Sequence, residues 1–282
     1  MSRILVTGAA GNVGSRVVRR LAENKVAVRA LVRPGEKKTF GAGVEVVQAD
    51  MLDAGQVRAA MKGMDKVYLL SAGLDLVKME TVVIQAAASE KVKHLVKHSV
   101  QGAQYEAALI PQWHRTTEKL VEGTGIPYTF LRPASFASNA LGWAGMLKGG
   151  NAVYGPYGDV ALPVIDPEDI AAVAHHVLTQ EGHTGKAYEL TGPASLTTAE
   201  QVATLGRVLN RPLSYVNVPD SAALESMVGM GMPKAYAEAM IDLVRMLRGL
   251  GKIAPTGAVT EVLKRRANSF EEFLSANTAV FR

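Results

Sequence analysis

Cysteine is absent from the 282 residues of this chain. Disulfide scaffolds, thiolate metal sites and cysteine nucleophiles are therefore excluded, and the composition is consistent with a reducing compartment, which we expect to be the cytoplasm. No apolar run approaches the length of a membrane span, and the chain opens directly on a predicted strand. We therefore expect neither a membrane helix nor a signal peptide. No His-Glu-x-x-His motif occurs, so we expect no metal site.

The chain also has only a small excess of positive charge. Lysine and arginine number 31 against 26 acidic residues, which gives a net charge of +5. The basic residues are scattered apart from short groups such as Lys37-Lys38 and Lys264-Arg265-Arg266, a distribution typical of a solvated surface. We therefore expect no nucleic-acid partner. The hydrophobic content of 48% indicates an ordinary globular protein.

Strand and helix patterns alternate through the first half of the chain. Predicted strands lie at 3–7, 26–32, 44–48, 66–71, 94–98 and 128–132, and predicted helices lie at 13–23, 55–62, 76–89 and 113–124. This alternation predicts an α/β fold, a Rossmann-type doubly wound parallel sheet with helices on both faces. The second half is punctuated by glycine and proline. It predicts short strands near 152–154, 161–165 and 187–191 and helices at 167–179, 198–209, 221–250 and 268–276.

Two domains follow from this change of character. We predict a dinucleotide-binding domain over residues 1–150, to which segments near 160–190 return. Residues 151–282 are then predicted to form a smaller mixed α/β lobe that binds substrate. Thr197 and Ser269 are predicted N-caps of the helices that follow them, and Asp166 precedes a helix with an acidic first turn.

Three glycines separate the first strand from the first helix, in the run Ile4-Leu5-Val6-Thr7-Gly8-Ala9-Ala10-Gly11-Asn12-Val13-Gly14. Gly8 permits a tight turn, Gly11 lets the backbone approach a pyrophosphate, and Gly14 lets the helix lie close to the sheet. The helix N-terminus then offers N–H groups to phosphates. The spacing is G-x-x-G-x-x-G, and its position between a strand and a helix predicts a dinucleotide site. The alternative is a glycine-rich turn that binds nothing.

Several segments together resemble the extended, atypical short-chain dehydrogenase/reductase family, and most closely its NmrA-like branch of NAD(P)H quinone, triphenylmethane-dye and azo-dye reductases. The segments, in family order, are Val6–Gly14, Leu31–Pro34, Gln48–Met51, His114–Glu118, Ile126–Pro133, Asp166–Ala171 and Tyr188–Gly192. The resemblance covers most of the chain, although roughly the last 70 residues carry little that matches. It implies an NAD(P)H-dependent oxidoreductase.

The end of the second strand distinguishes NADH from NADPH. An acidic residue there would bind the ribose 2′-hydroxyl, whereas this chain has Arg33, with Lys38 just beyond, which favours the 2′-phosphate of NADP(H). The alternative is a solvated arginine at the start of a loop. The resemblance places Asp50 and Met51 by the adenine and Ser71–Gly73 near the ribose. The complete set of predicted coenzyme-binding residues is Thr7, Gly8, Ala10, Gly11, Asn12, Val13, Gly14, Arg33, Lys38, Asp50, Met51, Ser71, Ala72, Gly73 and Pro133.

The Tyr-x-x-x-Lys pair of most short-chain dehydrogenases does not occur near the corresponding helix. Tyr105 precedes that helix and has Leu109 four residues on. The stretch contains instead His114 and Glu118, which share one helix face at four-residue spacing. We predict that His114 orients the substrate or moves a proton and that Glu118 tunes it. The alternative is a structural His–Glu pair at the edge of the coenzyme site.

The predicted substrate residues follow the sixth strand. Phe136 could stack on an aromatic substrate beside the nicotinamide, and Asn139, Trp143 and Tyr154 are predicted to line the pocket. For Trp143 the alternative to a pocket role is ordinary packing in the hydrophobic core.

Together these features predict an NADPH-dependent reductase that transfers hydride to an aromatic acceptor, namely a quinone, an azo dye or a triphenylmethane dye. Such acceptors need little general-acid help, which suits the missing tyrosine and lysine. The alternative is an NmrA-like redox sensor that binds NADP(H) with little turnover. A nucleotide-sugar epimerase or dehydratase is disfavoured by the same absence. The expected partner is a small aromatic molecule, and the expected assembly is a monomer or a homodimer.

Overall fold

The computed structural model describes residues 2–282. Its strands are β1 (Arg3–Val6), β2 (Ala27–Val32), β3 (Val44–Gln48), β4 (Lys66–Leu69), β5 (His94–His98), β6 (Tyr128–Pro133), β7 (Ala152–Gly155), β8 (Lys186–Leu190) and β9 (Ser214–Asn217). Its α-helices are α1 (Asn12–Glu23), α2 (Ala54–Met61), α3 (Leu76–Ser89), α4 (Leu109–Gly123), α5 (Ala144–Leu147), α6 (Pro167–Thr179), α7 (Thr198–Leu209), α8 (Asp220–Gly229), α9 (Lys234–Leu250), α10 (Ala258–Leu263) and α11 (Phe270–Ala276).

Seven strands form one sheet in the order β3-β2-β1-β4-β5-β6-β8. Strands β1 to β6 pair in parallel. The chain proceeds outward from β1 to β3 on one side and then from β4 to β6 on the other. The strand order therefore reverses between β1 and β4, and in doubly wound sheets ligands bind at the carboxyl ends of the strands on either side of that point. The predicted Rossmann-type fold is confirmed.

Burial on both faces explains the composition of these strands. Ile4, Leu5 and Val6 of β1 are fully buried, as expected for a central parallel strand covered by helices. Helix α1 presents Val13, Val17 and Leu21 at four-residue spacing to the sheet side, and all three are buried. The change from consecutive buried residues to buried residues at four-residue spacing thus marks the passage from β1 to α1.

The chain divides into two compact units. The first contains the residues up to Glu106 together with 111–133 and 167–189, and the second contains 107–110, 134–166 and 190–282. The predicted boundary at residue 150 lies later than this division. Residues 134–150 group with the second unit because Ala137, Ala140 and Leu147 pack in its hydrophobic cluster with residues of α7 and α11. A second parallel pair, β7 with β9, completes that unit.

Predicted helix starts in the second half agree with the structure. Thr197 and Ser269 each cap their helix through a complete capping box with a glutamate three residues on. Helix α6 begins at Pro167 with Glu168 and Asp169 in its first turn, where acidic side chains offset the positive end of the helix dipole.

Two local predictions are wrong. Residues 161–165 do not form a strand. They make only isolated bridges, in which Ala161, Leu162 and Ile165 pair with Lys252, Leu196 and Phe136. The helical stretch 221–250 is interrupted between α8 and α9, where Gly231 has a φ of 91° and Pro233 is the N-cap of α9. Strand β9 and helix α10 were not predicted.

None of the helices in residues 2–282 combines the length and apolar character that a membrane crossing requires.

Candidate functional site

The turn between β1 and α1 requires glycine at two positions. Gly8 has a φ of 58°, and a Cβ added there would lie 2.9 Å from the carbonyl oxygen of Leu70. A Cβ on Gly14 would lie 2.2 Å from the carbonyl oxygen of Gly8, well inside van der Waals contact. The start of α1 therefore rests directly on the turn, which only a residue without a side chain allows.

The N-terminus of α1 is suited to an anion. Its N-cap is Gly11, no side chain caps this end, and the first turn holds no acidic residue. First-turn N–H groups have no partner within their own helix, and together with the helix dipole they attract phosphate. The residues present fit the pyrophosphate of a dinucleotide.

A cavity of about 330 Å³ opens beside this turn, in the first unit. It lies at the carboxyl ends of β1 to β4. Eight predicted coenzyme residues line it, namely Gly8, Ala10, Gly11, Arg33, Asp50, Met51, Ser71 and Ala72. Its other lining residues are Ala9, Leu31, Val32, Glu36, Leu70 and Met79.

Those six residues were missed, although the sequence holds a signal for three of them. Leu31, Val32 and Leu70 are the last apolar residues before a predicted site residue, so the strand ends alone would have indicated them. Met79 lies one turn into α3, and Glu36 follows Arg33 in the loop after β2. Neither position has a residue type that marks a coenzyme site.

Charge around the cavity is mixed. The side chain of Arg33 is exposed and has no ion pair with any residue of the range 2–282. The Glu36 carboxylate accepts hydrogen bonds from the backbone N–H groups of Lys37 and Lys38, each 3.0 Å long. The Arg33 guanidinium is therefore uncommitted, and Glu36 is the nearest acidic residue along the chain.

Lys38 and the remaining coenzyme candidates lie outside the cavity lining. The Lys38 ammonium donates to the carbonyl oxygen of Ala10 at 2.9 Å and so ties the loop after β2 to the glycine turn. Thr7 is buried and its hydroxyl donates to the carbonyl oxygen of Leu70 at 2.8 Å, which joins the ends of β1 and β4. Both residues support the turn.

Four other predicted coenzyme residues have separate positions, since Asn12 and Val13 lie in the first turn of α1, Gly73 follows β4 and Pro133 ends β6. Val13 is buried under α1, and Asn12 accepts a hydrogen bond from Arg16 through its backbone oxygen at 2.7 Å. Gly73 has a φ of 101°, which turns the chain from Ala72 toward α3. The carbonyl oxygen of Pro133 accepts from the N–H of Gln101 at 2.9 Å.

His114 is buried beside a lysine. Its Nδ1 atom lies 3.2 Å from the Nζ atom of Lys97. Burial, the charge of Lys97 and the nearby His98 hold the pKa of His114 well below the usual histidine value. His114 is therefore neutral at neutral pH.

Glu118 is bound by other residues than His114. Its Oε1 accepts from the Ser99 hydroxyl at 2.7 Å and from Arg132 Nε at 2.9 Å, and its Oε2 accepts from Arg132 Nη2 at 2.7 Å. Arg115 adds a contact of 3.2 Å. The predicted tuning of His114 by Glu118 is wrong, because the buried Glu118 carboxylate is satisfied by the bidentate guanidinium of Arg132, which reaches it from β6.

The four predicted substrate residues all belong to the second unit. Phe136 is half-buried and bridges to Ile165, and the Asn139 amide lies 3.4 Å from the Ser135 hydroxyl. Trp143 packs against the hydrophobic cluster of that unit, in keeping with the core alternative. Tyr154, on β7, is 51% exposed.

Two histidines on β5 have the four-residue spacing of a helical metal pair. On a strand this spacing separates His94 and His98 by about 13 Å, and each ring has its own partner. His94 Nε2 bonds Thr129 Oγ1 at 2.9 Å, and His98 Nδ1 bonds the Tyr68 hydroxyl at 2.7 Å. Within residues 2–282 no group of three or more metal-ligating side chains is assembled.

Acid should destabilise the fold through His94. Burial, and then the charges of Lys66 and His183, lower the pKa of His94 to about 4, below its value of about 6.5 in an unfolded chain. The unfolded state therefore takes up the proton first, and stability falls as pH drops from 6.5 toward 4. Between about pH 7 and pH 5 this group alone should remove about 2 kcal/mol.

The measurement is urea unfolding of the wild type and of His94→Gln at both pH values. The glutamine amide can still donate to Thr129, so the variant should fold. Its loss of stability on acidification should be smaller by about 2 kcal/mol. An equal loss in both proteins would contradict the prediction.

The chain is similar to several known proteins. An NAD(P)H azoreductase of Xenophilus azovorans is 36% identical over 99% of both chains. A (4-alkanoyl-5-oxo-2,5-dihydrofuran-3-yl)methyl phosphate reductase of Streptomyces griseus is 37% identical, again over 99% of both. The crystal structure of the NADPH-dependent quinone oxidoreductase QOR2 of Escherichia coli with NADPH superimposes with a TM-score of 0.87 at 26% identity, covering 98% of this chain and 99% of that one.

The NmrA-like family matches the chain over residues 1–274, a span that includes the glycine turn, the cavity and the buried network around Glu118. The family suggested by the sequence motifs is confirmed, and the chain belongs to the NmrA-like family.

Proposed function

We propose that this protein is an NADPH-dependent reductase that passes a hydride to a conjugated, electron-poor small molecule. The observation that carries the proposal is the cavity at the sheet's switch point, where a glycine turn, an uncapped helix N-terminus and the unpaired Arg33 lie together. The predictions of an oxidoreductase and of NADP(H) as its coenzyme are confirmed by the named relatives.

Different residues would bind different parts of the coenzyme. The turn from Gly8 to Gly11 and the start of α1 would hold the pyrophosphate. Arg33 would hold the 2′-phosphate with two parallel hydrogen bonds and stack on the adenine. Asp50 and Met51, which line the cavity, would lie beside the adenine. When bound, NADPH supplies the hydride.

The substrate class is supported by the relatives. One is a reductase of azo compounds and another of a phosphorylated dihydrofuranone, and both names describe reduction of an unsaturated small molecule. Phe136, Asn139 and Tyr154 remain our proposed contacts for the acceptor. We propose His114 as a neutral hydrogen-bond donor to it, with protons coming from solvent, and Glu118 as a structural residue.

The proposal is tested by following NADPH absorbance in the presence of single acceptors. The panel consists of a quinone, an azo dye, a triphenylmethane dye and a phosphorylated dihydrofuranone. Oxidation of NADPH that depends on one of them supports a reductase and identifies the class. NADPH binding without turnover on any acceptor would favour the redox-sensor alternative.

Loss of the Arg33 guanidinium should weaken NADPH selectively. In Arg33→Ala we expect the dissociation constant of NADPH to rise about 30-fold, which corresponds to about 2 kcal/mol, because a charge-assisted pair to phosphate is lost. The affinity for NADH, which lacks that phosphate, should change less than about threefold. Calorimetric titration measures both.

The matched control is Lys37→Ala, which removes an exposed cation from the same loop but outside the cavity lining. It should leave both affinities nearly unchanged. If Arg33→Ala weakened the two coenzymes equally, Arg33 would not be the phosphate contact.

Three expectations stay proposals, namely the assembly, the compartment and the absence of a nucleic-acid partner. We propose a monomer or a homodimer in the cytoplasm, with no nucleic-acid partner. The missing Tyr-x-x-x-Lys pair continues to disfavour an epimerase.

A further inference from the structure

Lys97 is a fully buried lysine in the middle of the sheet. It lies on β5, and neither it nor Glu80 of α3 has any exposed surface. The Lys97 Nζ atom lies 2.5 Å from Glu80 Oε2, 3.4 Å from the carbonyl oxygen of His98 and 3.2 Å from His114 Nδ1. An ammonium has three N–H donors, so these three acceptors account for all of them.

A buried charge of this kind needs a partner, and Glu80 supplies it. The second carboxylate oxygen of Glu80 accepts from the Ser71 hydroxyl at 2.9 Å. Ser71 lines the coenzyme cavity. A continuous chain of hydrogen bonds thus runs from the cavity wall through Glu80 and Lys97 to His114.

The direction of the last bond follows from the chemistry of its atoms. A lysine ammonium can only donate, so Nδ1 of His114 must accept and cannot carry a hydrogen. A neutral imidazole carries one ring hydrogen, which must then be on Nε2. We propose that Lys97 is a positioning residue that fixes His114 as the neutral Nε2–H tautomer, ready to donate one hydrogen bond.

This inference deepens the proposed function and rests on it for the role of His114. A neutral imidazole can polarise an acceptor without being a cationic acid. The direct cationic neighbour Lys97 and the nearby His98, itself bonded to Tyr68, both disfavour a second proton on His114. Glu80 and Ser71 would hold the Lys97 ammonium in place through hydrogen bonds, and the ammonium in turn would orient the His114 ring.

The first test needs no variant. Nitrogen-detected NMR of ¹⁵N-histidine-labelled, coenzyme-free protein reports which ring nitrogen carries hydrogen. Among the rings with an unprotonated Nδ1 and a protonated Nε2 that do not titrate between about pH 6 and pH 9, we expect one whose signal disappears in His114→Gln. A hydrogen on Nδ1, or an imidazolium at neutral pH, would overturn the inference.

The second test removes the ammonium without leaving a carboxylate unpaired. The double variant Glu80→Gln/Lys97→Met keeps both shapes, and the glutamine oxygen can still accept from Ser71. We expect His114 to populate both tautomers and kcat with the best acceptor to fall about tenfold, while the NADPH dissociation constant changes less than about threefold. An unchanged tautomer would overturn the inference.

The matched control is Lys66→Met, which removes a lysine from the neighbouring strand β4 whose ammonium donates to the Leu178 carbonyl oxygen at 2.6 Å. It should alter neither the tautomer nor kcat. The role of Lys97 and the role of His114 can be contradicted separately. Mixed tautomers with undiminished kcat would support the role of Lys97 and contradict the role proposed for His114.

Discussion

Replacing Glu118 by alanine should lower the free energy of unfolding by about 4 kcal/mol, because it leaves the buried guanidinium of Arg132 without its main anion. Glu118 has no exposed surface, and Arg132 is only 9% exposed. Glu189, the other nearby carboxylate, lies 3.7 Å from Arg132 Nη1, too far to replace the bonds that are lost. Chemical unfolding followed by circular dichroism measures the difference.

Glu122 provides the control for this prediction. It lies one turn further along α4 and binds the same Arg115, at 2.8 Å, but its side chain is 35% exposed. Glu122→Ala should cost less than about 1 kcal/mol, as solvent-exposed ion pairs do. If instead both variants were equally stable and Glu118→Ala alone lost turnover, Glu118 would be a catalytic residue, as the sequence first indicated.

The stabilisation by the Glu118–Arg132 ion pair depends on pH in a defined range. Burial raises the pKa of this carboxyl, but hydrogen bonds from Arg132 and Ser99 and the charges of Arg132 and Lys97 outweigh it and lower the pKa below its usual value. The stabilisation is therefore complete above the unfolded-state pKa of about 4.3 and is lost only as pH falls through the folded-state value.

A methyl group at position 14 should abolish coenzyme binding and destabilise the fold by about 3 kcal/mol. In Gly14→Ala the new Cβ would lie 2.2 Å from the carbonyl oxygen of Gly8 and 3.1 Å from the Cα of Ala9. These are backbone atoms, so the clash is relieved only if α1 moves off the turn. Both the packing of α1 and the geometry of its N-terminus are then lost. Unfolding and calorimetric NADPH titration measure the two effects.

Two further alanine variants separate these effects. A Cβ on Gly11 would lie 3.2 Å from the Gly8 carbonyl oxygen, so Gly11→Ala should fold with little change yet bind NADPH weakly, because the methyl group enters the space of the pyrophosphate. Gly123→Ala at the end of α4 meets nothing within 4 Å and should alter neither property. Tight NADPH binding by Gly14→Ala would contradict the proposed role of this turn.

The coenzyme half of the site was accessible from the sequence because its determinants are local. The run from Ile4 to Gly14 contains a strand, a turn and a helix start, and each is set by residues within a few positions of one another. Arg33, Asp50 and Ser71 follow the ends of predicted strands, and parallel strands bring those ends to one edge. The capping boxes at Thr197 and Ser269 are equally local signals.

The polar network was not accessible, because its partners are distant in the chain. His114 and Glu118 are neighbours on one helix face, which suggested a pair. Their bonds go instead to Lys97 and Arg132, which lie on β5 and β6. Nothing in the spacing of α4 indicates which buried charges face it from the sheet.

The amino-acid sequence by itself determined the alternation of strands and helices, the glycine turn, the cation at the end of β2 and the family. The tertiary structure decided that 134–150 joins the second unit, that 161–165 remains outside any strand, and that His114 and Glu118 belong to separate networks. Backbone conformation is set mostly by near neighbours, whereas a buried polar group takes the partner that three-dimensional packing brings to it, since leaving it unpaired costs several kcal/mol.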